Sequence, residues 1–338
     1  MVKAKKKIVC LGGGTGVSMV LSGLVNYSYE LKAIVTMFDD GGSSGKLGKE
    51  FNLLPPGDLR QCLFTAAGEE RIAKKLTKLF SYRFKKGNFK GHNLGNLVIA
   101  AATKEEDKYL NDAINELGEI LTTKAKIYPV TLNRAKIKAV FKNNKTITGE
   151  ENIINNLSRV EIKKLSLKPS VRANSRAISA IKEADLIIIG PGKFYTSIVP
   201  NFLVKGISKA IKQSKAKKVF ICNLMTQKGN TEKFKVEDFL KILEEYLGEN
   251  IIDYVIFNTG KLNTRLIKKV RKIFPRVDFI QYNKDLIKKN KFIGTNLLDG
   301  RIRELNPSDV LVKGANQRTI VFHDSKKLAK IIKNICKL

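Results

Sequence analysis

The segment Ile8-Val9-Cys10-Leu11-Gly12-Gly13-Gly14-Thr15-Gly16-Val17-Ser18 runs a β-branched apolar strand straight into four glycines, then into a helical pattern that ends near residue 24. Glycines let main-chain N–H groups approach an anion closely, and the following helix N-terminus adds its partial positive charge. The segment therefore reads as a cradle for a phosphate-bearing, nucleotide-type ligand, with Gly12, Gly13, Gly14 and Gly16 opening the backbone and Thr15 and Ser18 offering hydroxyls. It is an imperfect dinucleotide fingerprint, because Val17 stands where a third small residue is needed. A tight strand-to-helix turn with no ligand is the plain alternative. On the cradle reading, Gly14→Val blocks a phosphate while sparing the fold.

Outward from this segment, apolar runs at 8–11, 31–38, 186–189, 219–222 and 254–257 each end in a loop rich in Gly, Asn, Asp or Ser. Between them lie amphipathic patterns with apolar residues three or four apart, at 113–121, 172–183, 236–247, 263–273 and 325–336. Strands alternating with helices predict an α/β protein with a mainly parallel sheet covered on both faces. From about 126 to 168 the pattern shortens and alternates around a turn at 142–145, which predicts a small antiparallel insertion on a single domain spanning 1–338. In open α/β sheets, ligands lie outside the carboxyl ends of the strands, so the five strand-ending loops should converge on one cleft.

Those loops hold the remaining candidates. Phe38-Asp39-Asp40-Gly41-Gly42-Ser43-Ser44-Gly45-Lys46 follows the second strand; it is one residue short of a Walker A loop, and Leu47 replaces the required hydroxyl. Asp39 and Asp40 are placed to accept ribose hydroxyls or, alternatively, to hold a divalent cation such as Mg²⁺ beside a phosphate. Asp58 reads as the N-cap of a helix through residue 67, and Arg60 in its first turn is either an anion clamp or a plain surface residue. Asn93 and Asn96 sit in Gly91-His92-Asn93-Leu94-Gly95-Asn96-Leu97, and with no nucleophile nearby His92 reads as structural. Gly190, Pro191 and Gly192 lead to Tyr195, a flat face for a base, and to Thr196, a donor; Asn223 and Thr226 follow the next strand with groups suited to sugars.

The 338 residues include 63 Lys and Arg against 31 Asp and Glu, a formal charge of +32. An excess of that size invites an anionic partner such as nucleic acid, a membrane surface or a phosphorylated metabolite. Only 13 of the 63 are Arg, and Lys is spread along the whole chain, which fits solvated faces better than base readout. The expectation is no specific nucleic-acid partner. Four scattered cysteines with no C-x-x-C pair disfavour zinc or a disulfide framework, and no apolar run nears the ~20 residues that cross a bilayer. A cytoplasmic protein is expected, with a homodimer as its assembly.

Taken in order, GGGTG, VTMFDDGGSSGKL, LPPGDLRQCL, GHNLGNL, IIIGPGKFYTSIVPNFLV, ICNLMTQKGNTE and HDSKKLAKII resemble the bacterial gluconeogenesis-factor (YvcK-like) family across nearly the whole chain. The family is more distantly similar to 2-phospho-L-lactate transferase. The resemblance implies a Rossmann-like fold that binds a UDP-N-acetylglucosamine, UDP-glucose or NAD-like ligand and acts in control of carbon metabolism and cell shape. It places diphosphate at Gly12 to Gly16 with Thr15, and lines the cleft with Asp39, Asp40, Asn96, Gly190 and Tyr195. Where the family's last block usually reads Arg-His-Asp, this chain has Phe322-His323-Asp324, removing a cation for which Lys193 or Arg318 would have to compensate. Polar loops without a nucleophile–base pair favour a binding regulator; the rival is a metal-dependent transferase using Asp39 and Asp40.

Overall fold

The computed structural model describes residues 4–104, 106–156, 161–227, 231–262, 264–273, 277–302 and 321–337. Arg318 and Asn263 lie outside the described residues.

Seven strands form one wholly parallel sheet: β1 (Lys7–Gly12), β2 (Glu30–Val35), β3 (Ala125–Pro129), β7 (Leu186–Ile189), β8 (Lys217–Ile221), β9 (Tyr254–Asn258) and β10 (Phe292–Thr295). Three more, β4 (Lys136–Phe141), β5 (Thr146–Thr148) and β6 (Ile162–Lys168), make a small antiparallel sheet in the order β5–β4–β6. The last two, β11 (Leu298–Ile302) and β12 (Val321–His323), pair antiparallel. Helices cover the large sheet, and the fold is α/β and Rossmann-like.

The central strands are buried throughout because a parallel sheet is covered on both faces, so Ile8, Val9, Cys10 and Leu11, like Leu186 to Ile189, read as unbroken apolar runs. β3 differs. Its residues alternate buried and exposed, as befits an edge strand, yet it pairs in parallel with β2. The antiparallel insertion therefore begins after β3, at Lys136. It also contains a helix, Glu150–Asn155, that the sequence pattern does not announce.

The large sheet runs β10–β9–β8–β7–β1–β2–β3. From β1 the chain steps outward to β2 and β3, then returns to β7 on the other flank of β1 and steps outward again. The order reverses between β1 and β7, a topological switch point where the loops leaving two neighbouring strands part and open a crevice. One apolar cluster joins both halves and takes in Ile137, Phe141 and Leu165 of the insertion.

Candidate functional site

At the carboxyl end of β1 the chain passes Gly12 and Gly13 into the helix Gly14–Leu24. Gly13 caps that helix with backbone only, and its first turn carries no acidic residue. Facing it across the switch point is the loop after β7, where Gly190 has a positive φ of 78° and Gly190-Pro191 is cis. The two loops touch. A Cβ on Gly16 would fall on the carbonyl oxygen of Pro191, and one on Gly13 would lie 2.8 Å from the Cβ of Ser197. Gly16 is thus a packing glycine that lets the helix approach the β7 loop.

Gly14 faces a different neighbour. A Cβ there would lie 2.6 Å from the Cα of Asp58, and the Gly14 N–H donates to the Asp58 carboxylate. Gly14→Val would therefore collide with main chain, contrary to the expectation that this change spares the fold. Asp58 itself does not cap its helix, Gly57–Ala66; it stands in the first turn and turns its carboxyl to the glycine helix instead. Burial first, then the nearby charge of Asp39, pushes its pKa up to about 6, while the Gly14 N–H, Lys193 and Arg60 act in the opposite direction.

Asp39, Asp58, Glu150 and Lys193 form one electrostatic cluster beside the glycine loop. Glu150 is buried, 3.3 Å from the Lys193 Nζ, and burial holds its pKa well above the usual carboxyl range despite that partner. In its protonated form it hydrogen-bonds to the Asp39 side chain. Asp39 also accepts from the Gly41 N–H at 3.1 Å. Asp40 points elsewhere, accepting the Glu151 N–H at 2.8 Å and so fastening the insertion's helix to the end of β2. Among the described residues, no three His, Cys, Asp or Glu side chains are grouped closely enough to enclose a metal ion.

Other candidates are tied into the scaffold. Gly41 caps the helix Gly42–Glu50, so Gly42, Ser43 and Ser44 form a first turn where a loop was expected. The Ser43 hydroxyl lies 3.3 Å from His92 Nδ1 and accepts from Asn96 Nδ2 at 3.1 Å. Asn96 Oδ1 in turn accepts from Arg60 Nε at 2.8 Å, so Arg60 is held by an amide while its guanidinium lies over Phe64. Asn93 caps the helix Leu94–Ala102 and bonds the carbonyls of Ser81 and Tyr82. The Ser18 hydroxyl donates back to the Gly14 carbonyl, and the exposed Thr15 donates to Gln61 Oε1 at 3.2 Å.

On the β7 side, Asn223 brackets Gly192, accepting its N–H at 3.3 Å and donating to its carbonyl at 2.7 Å. Tyr195 is buried edge-on against Phe194 and Phe234 and presents no free face, and burial raises its pKa. Thr226 accepts the Asp278 N–H at 3.1 Å and borders a cavity of about 450 Å³ beyond the β8 loop, lined in part by Met225, Phe234, Lys235 and Arg271. Among the described residues, three buried hydroxyls have no hydrogen-bond partner: Thr36 just after β2, Thr196 on the β7 loop, and Thr77 away from this site. Thr36 and Glu150 escape sequence reading because no local motif marks them; the fold brings them to the glycine loop.

The family model for 2-phospho-L-lactate transferase CofD matches residues 8–297. A Thermotoga maritima relative, whose name proposes a gluconeogenesis factor, is 42% identical over 330 residues, covering 97% of this chain and 99% of its own. The chain belongs to the CofD family, within its gluconeogenesis-factor group. A Listeria innocua member named gluconeogenesis factor is 39% identical over 267 residues, 78% of this chain and 81% of its own. The fold is similar to that of a Bacillus halodurans protein solved by X-ray crystallography, with TM-score 0.85 and 32% identity over 98% of this chain and 100% of that one. In this family member the terminal His323-Asp324 pair is structural. His323 Nε2 donates to the Cys222 carbonyl at 3.1 Å, and Asp324 caps the helix Ser325–Ile335 through the N–H groups of Lys326 and Lys327. Phe322 precedes them on β12, half-buried.

Proposed function

We propose that the chain binds a diphosphate-bearing, nucleotide-type metabolite of the UDP-N-acetylglucosamine or UDP-glucose class in the crevice between β1 and β7. In this reading it is a cytoplasmic gluconeogenesis factor whose occupancy reports metabolic state to central carbon metabolism and cell-shape control. The observation that carries the reading is the meeting of two glycine-bearing loops at the reversal of strand order, with a helix N-terminus free of acidic first-turn residues. Lys193 supplies the cation for a phosphate oxygen, and the unpartnered hydroxyls of Thr36 and Thr196 are donors on the flanking loops. The names of the relatives support the regulatory part.

Calorimetric titration with UDP-N-acetylglucosamine, UDP-glucose and NAD tests it. Lys193→Gln should weaken the best ligand about tenfold or more, the scale of one lost charge-assisted bond, with its circular dichroism unchanged. No heat with any compound, or equal affinity in the variant, would sink the assignment.

A transferase reading has one observation of its own: Glu150, its pKa held well above the usual carboxyl range by burial, hydrogen-bonds to Asp39 a short way from Asp58, a pairing of the kind that serves acid–base work. A divalent ion there would rest on Asp39 and on ligand phosphate oxygens. Product released from a labelled nucleotide or phosphoryl donor only in the presence of Mg²⁺ would favour this reading over the regulatory one.

A further inference from the structure

Among the described residues, six large apolar side chains are exposed, and four of them fall between residues 72 and 89: Ile72 (70% exposed), Leu79 (54%), Tyr82 (49%) and Phe89 (55%). Single exposed apolar residues are ordinary; a run of them is not. The helix Arg71–Phe80 buries only Ala73 outright, with Leu76, Thr77 and Phe80 half-buried. Ile72, Leu76 and Leu79 are spaced i, i+4, i+7 and make one stripe, while Arg71, Lys75 and Lys78 fall on the adjacent face. The stripe continues into the next loop through Tyr82 against Phe84 (5.3 Å) and Phe84 against Phe89 (5.5 Å). That loop is tied at its base: Phe84 N–H donates to His92 O, Gly91 N–H to Phe84 O, and Arg83 Nη1 to Gly91 O. Phe89 is therefore held outward on a fixed loop.

Charge says what such a face fits. Residues 71–90 contain eight Lys and Arg and no Asp or Glu. A two-fold contact with a second copy would set these eight cations against eight more. A nucleic acid would answer the charge but leave Ile72 and Leu79 in water. An acidic headgroup layer above hydrocarbon satisfies both halves, with the lysines snorkelling to the headgroups and the apolar stripe at the acyl boundary. We propose that the helix Arg71–Phe80 and the loop bearing Phe89 form a docking face for the surface of an anionic phospholipid bilayer. The contact is peripheral, for no helix among the described residues is long and apolar enough to cross a membrane.

The chain has no Trp, so Phe89→Trp installs a single fluorescent reporter. Its emission should shift to the blue and be quenched by brominated acyl chains when phosphatidylglycerol-containing vesicles are added, and should not change with pure phosphatidylcholine. Because a net charge of +32 alone draws the protein to anionic vesicles, the deciding variant is Ile72→Ser with Leu79→Ser, which leaves charge untouched. Its vesicle co-sedimentation at physiological salt should fall about tenfold or more, with circular dichroism unchanged. Four outcomes would overturn the proposal: no blue shift, a blue shift with RNA in place of vesicles, co-sedimentation unaffected by the double variant, or a parent dimer that the double variant splits into monomers.

Discussion

The Asp58 carboxylate accepts the Gly14 N–H, and it does so at a cost, because burial and the Asp39 charge raise its pKa from an ordinary 3.8 to about 6. The sign follows from proton counting. Between pH 4 and 6 the folded chain holds more protons at this site than the unfolded one, so its stability falls as pH rises through that window, and above pH 6 the whole penalty is present. Asp58→Asn keeps an oxygen to accept the Gly14 N–H and removes the charge, relieving at most about 3 kcal/mol at neutral pH. The variant should melt above the parent at pH 7.5, and the gap should close as pH falls from 6.5 toward 4. A gap that stays constant with pH would mean that the carboxyl is not its source. The difference must be taken against the parent, because His323 titrates in the opposite sense. Burial lowers its pKa to about 4, so the stability from its neutral Nε2–H bond to Cys222 is lost as pH falls from about 6.5 toward 4. On the proposed binding site the same variant should hold a diphosphate more tightly than the parent at neutral pH, since the competing carboxylate is gone.

Among the elements, the helix Gly14–Leu24 depends on its approach to the β7 loop. A methyl at Gly16 would sit on the Pro191 carbonyl, and main chain cannot step aside as a long side chain would. Gly16→Ala is expected to cost 1–3 kcal/mol or more, the range for forced overpacking, and differential scanning calorimetry should show a melting point several degrees lower. An unchanged melting point would mean the helix has room to shift. This contact also marks where sequence reading stops. The strand, the glycines and the helix of residues 8–24 are legible because β-branched residues, turn formers and helical spacing act locally. The division of labour among the glycines is not, because Gly14 is closed by Asp58 and Gly16 by Pro191, contacts made only by the folded chain. The helix Gly42–Glu50 is hidden for a similar reason: three glycines and two serines have poor helix propensity, and burial of Ser43, Ser44, Gly45 and Leu47 overrides it. β3 resembles part of the insertion because an edge strand alternates in the same way as an antiparallel one. Tyr195 has the right chemistry for stacking on a base, but Phe194 and Phe234, brought in by packing, cover it.

For the molecule as a whole, the dominant electrostatic fact is that 31 carboxylates face 63 cationic side chains, so about half of the positive charge has no partner of opposite sign anywhere in the chain. Folding gathers that charge into one compact body around a single apolar cluster, whereas unfolding spreads it over a far larger volume. Salt bears unequally on the two states. The Debye length falls from about 30 Å at 0.01 M to about 8 Å at 0.15 M, so repulsion across the folded surface is screened strongly over that range. Exposed pairs such as Lys74–Glu69 lose little, because solvent already weakens them. Lys32 is shielded from solvent and sits between Glu30 at 3.0 Å and Glu183 at 2.9 Å, so its pairs are screened less. Net repulsion therefore outweighs the pairs, and the melting temperature should climb as NaCl rises from 0.01 to 0.15 M and level off beyond it, with one cooperative transition throughout. A melting temperature that falls over the same range would show that specific ion pairs, not the excess charge, govern the stability of this fold.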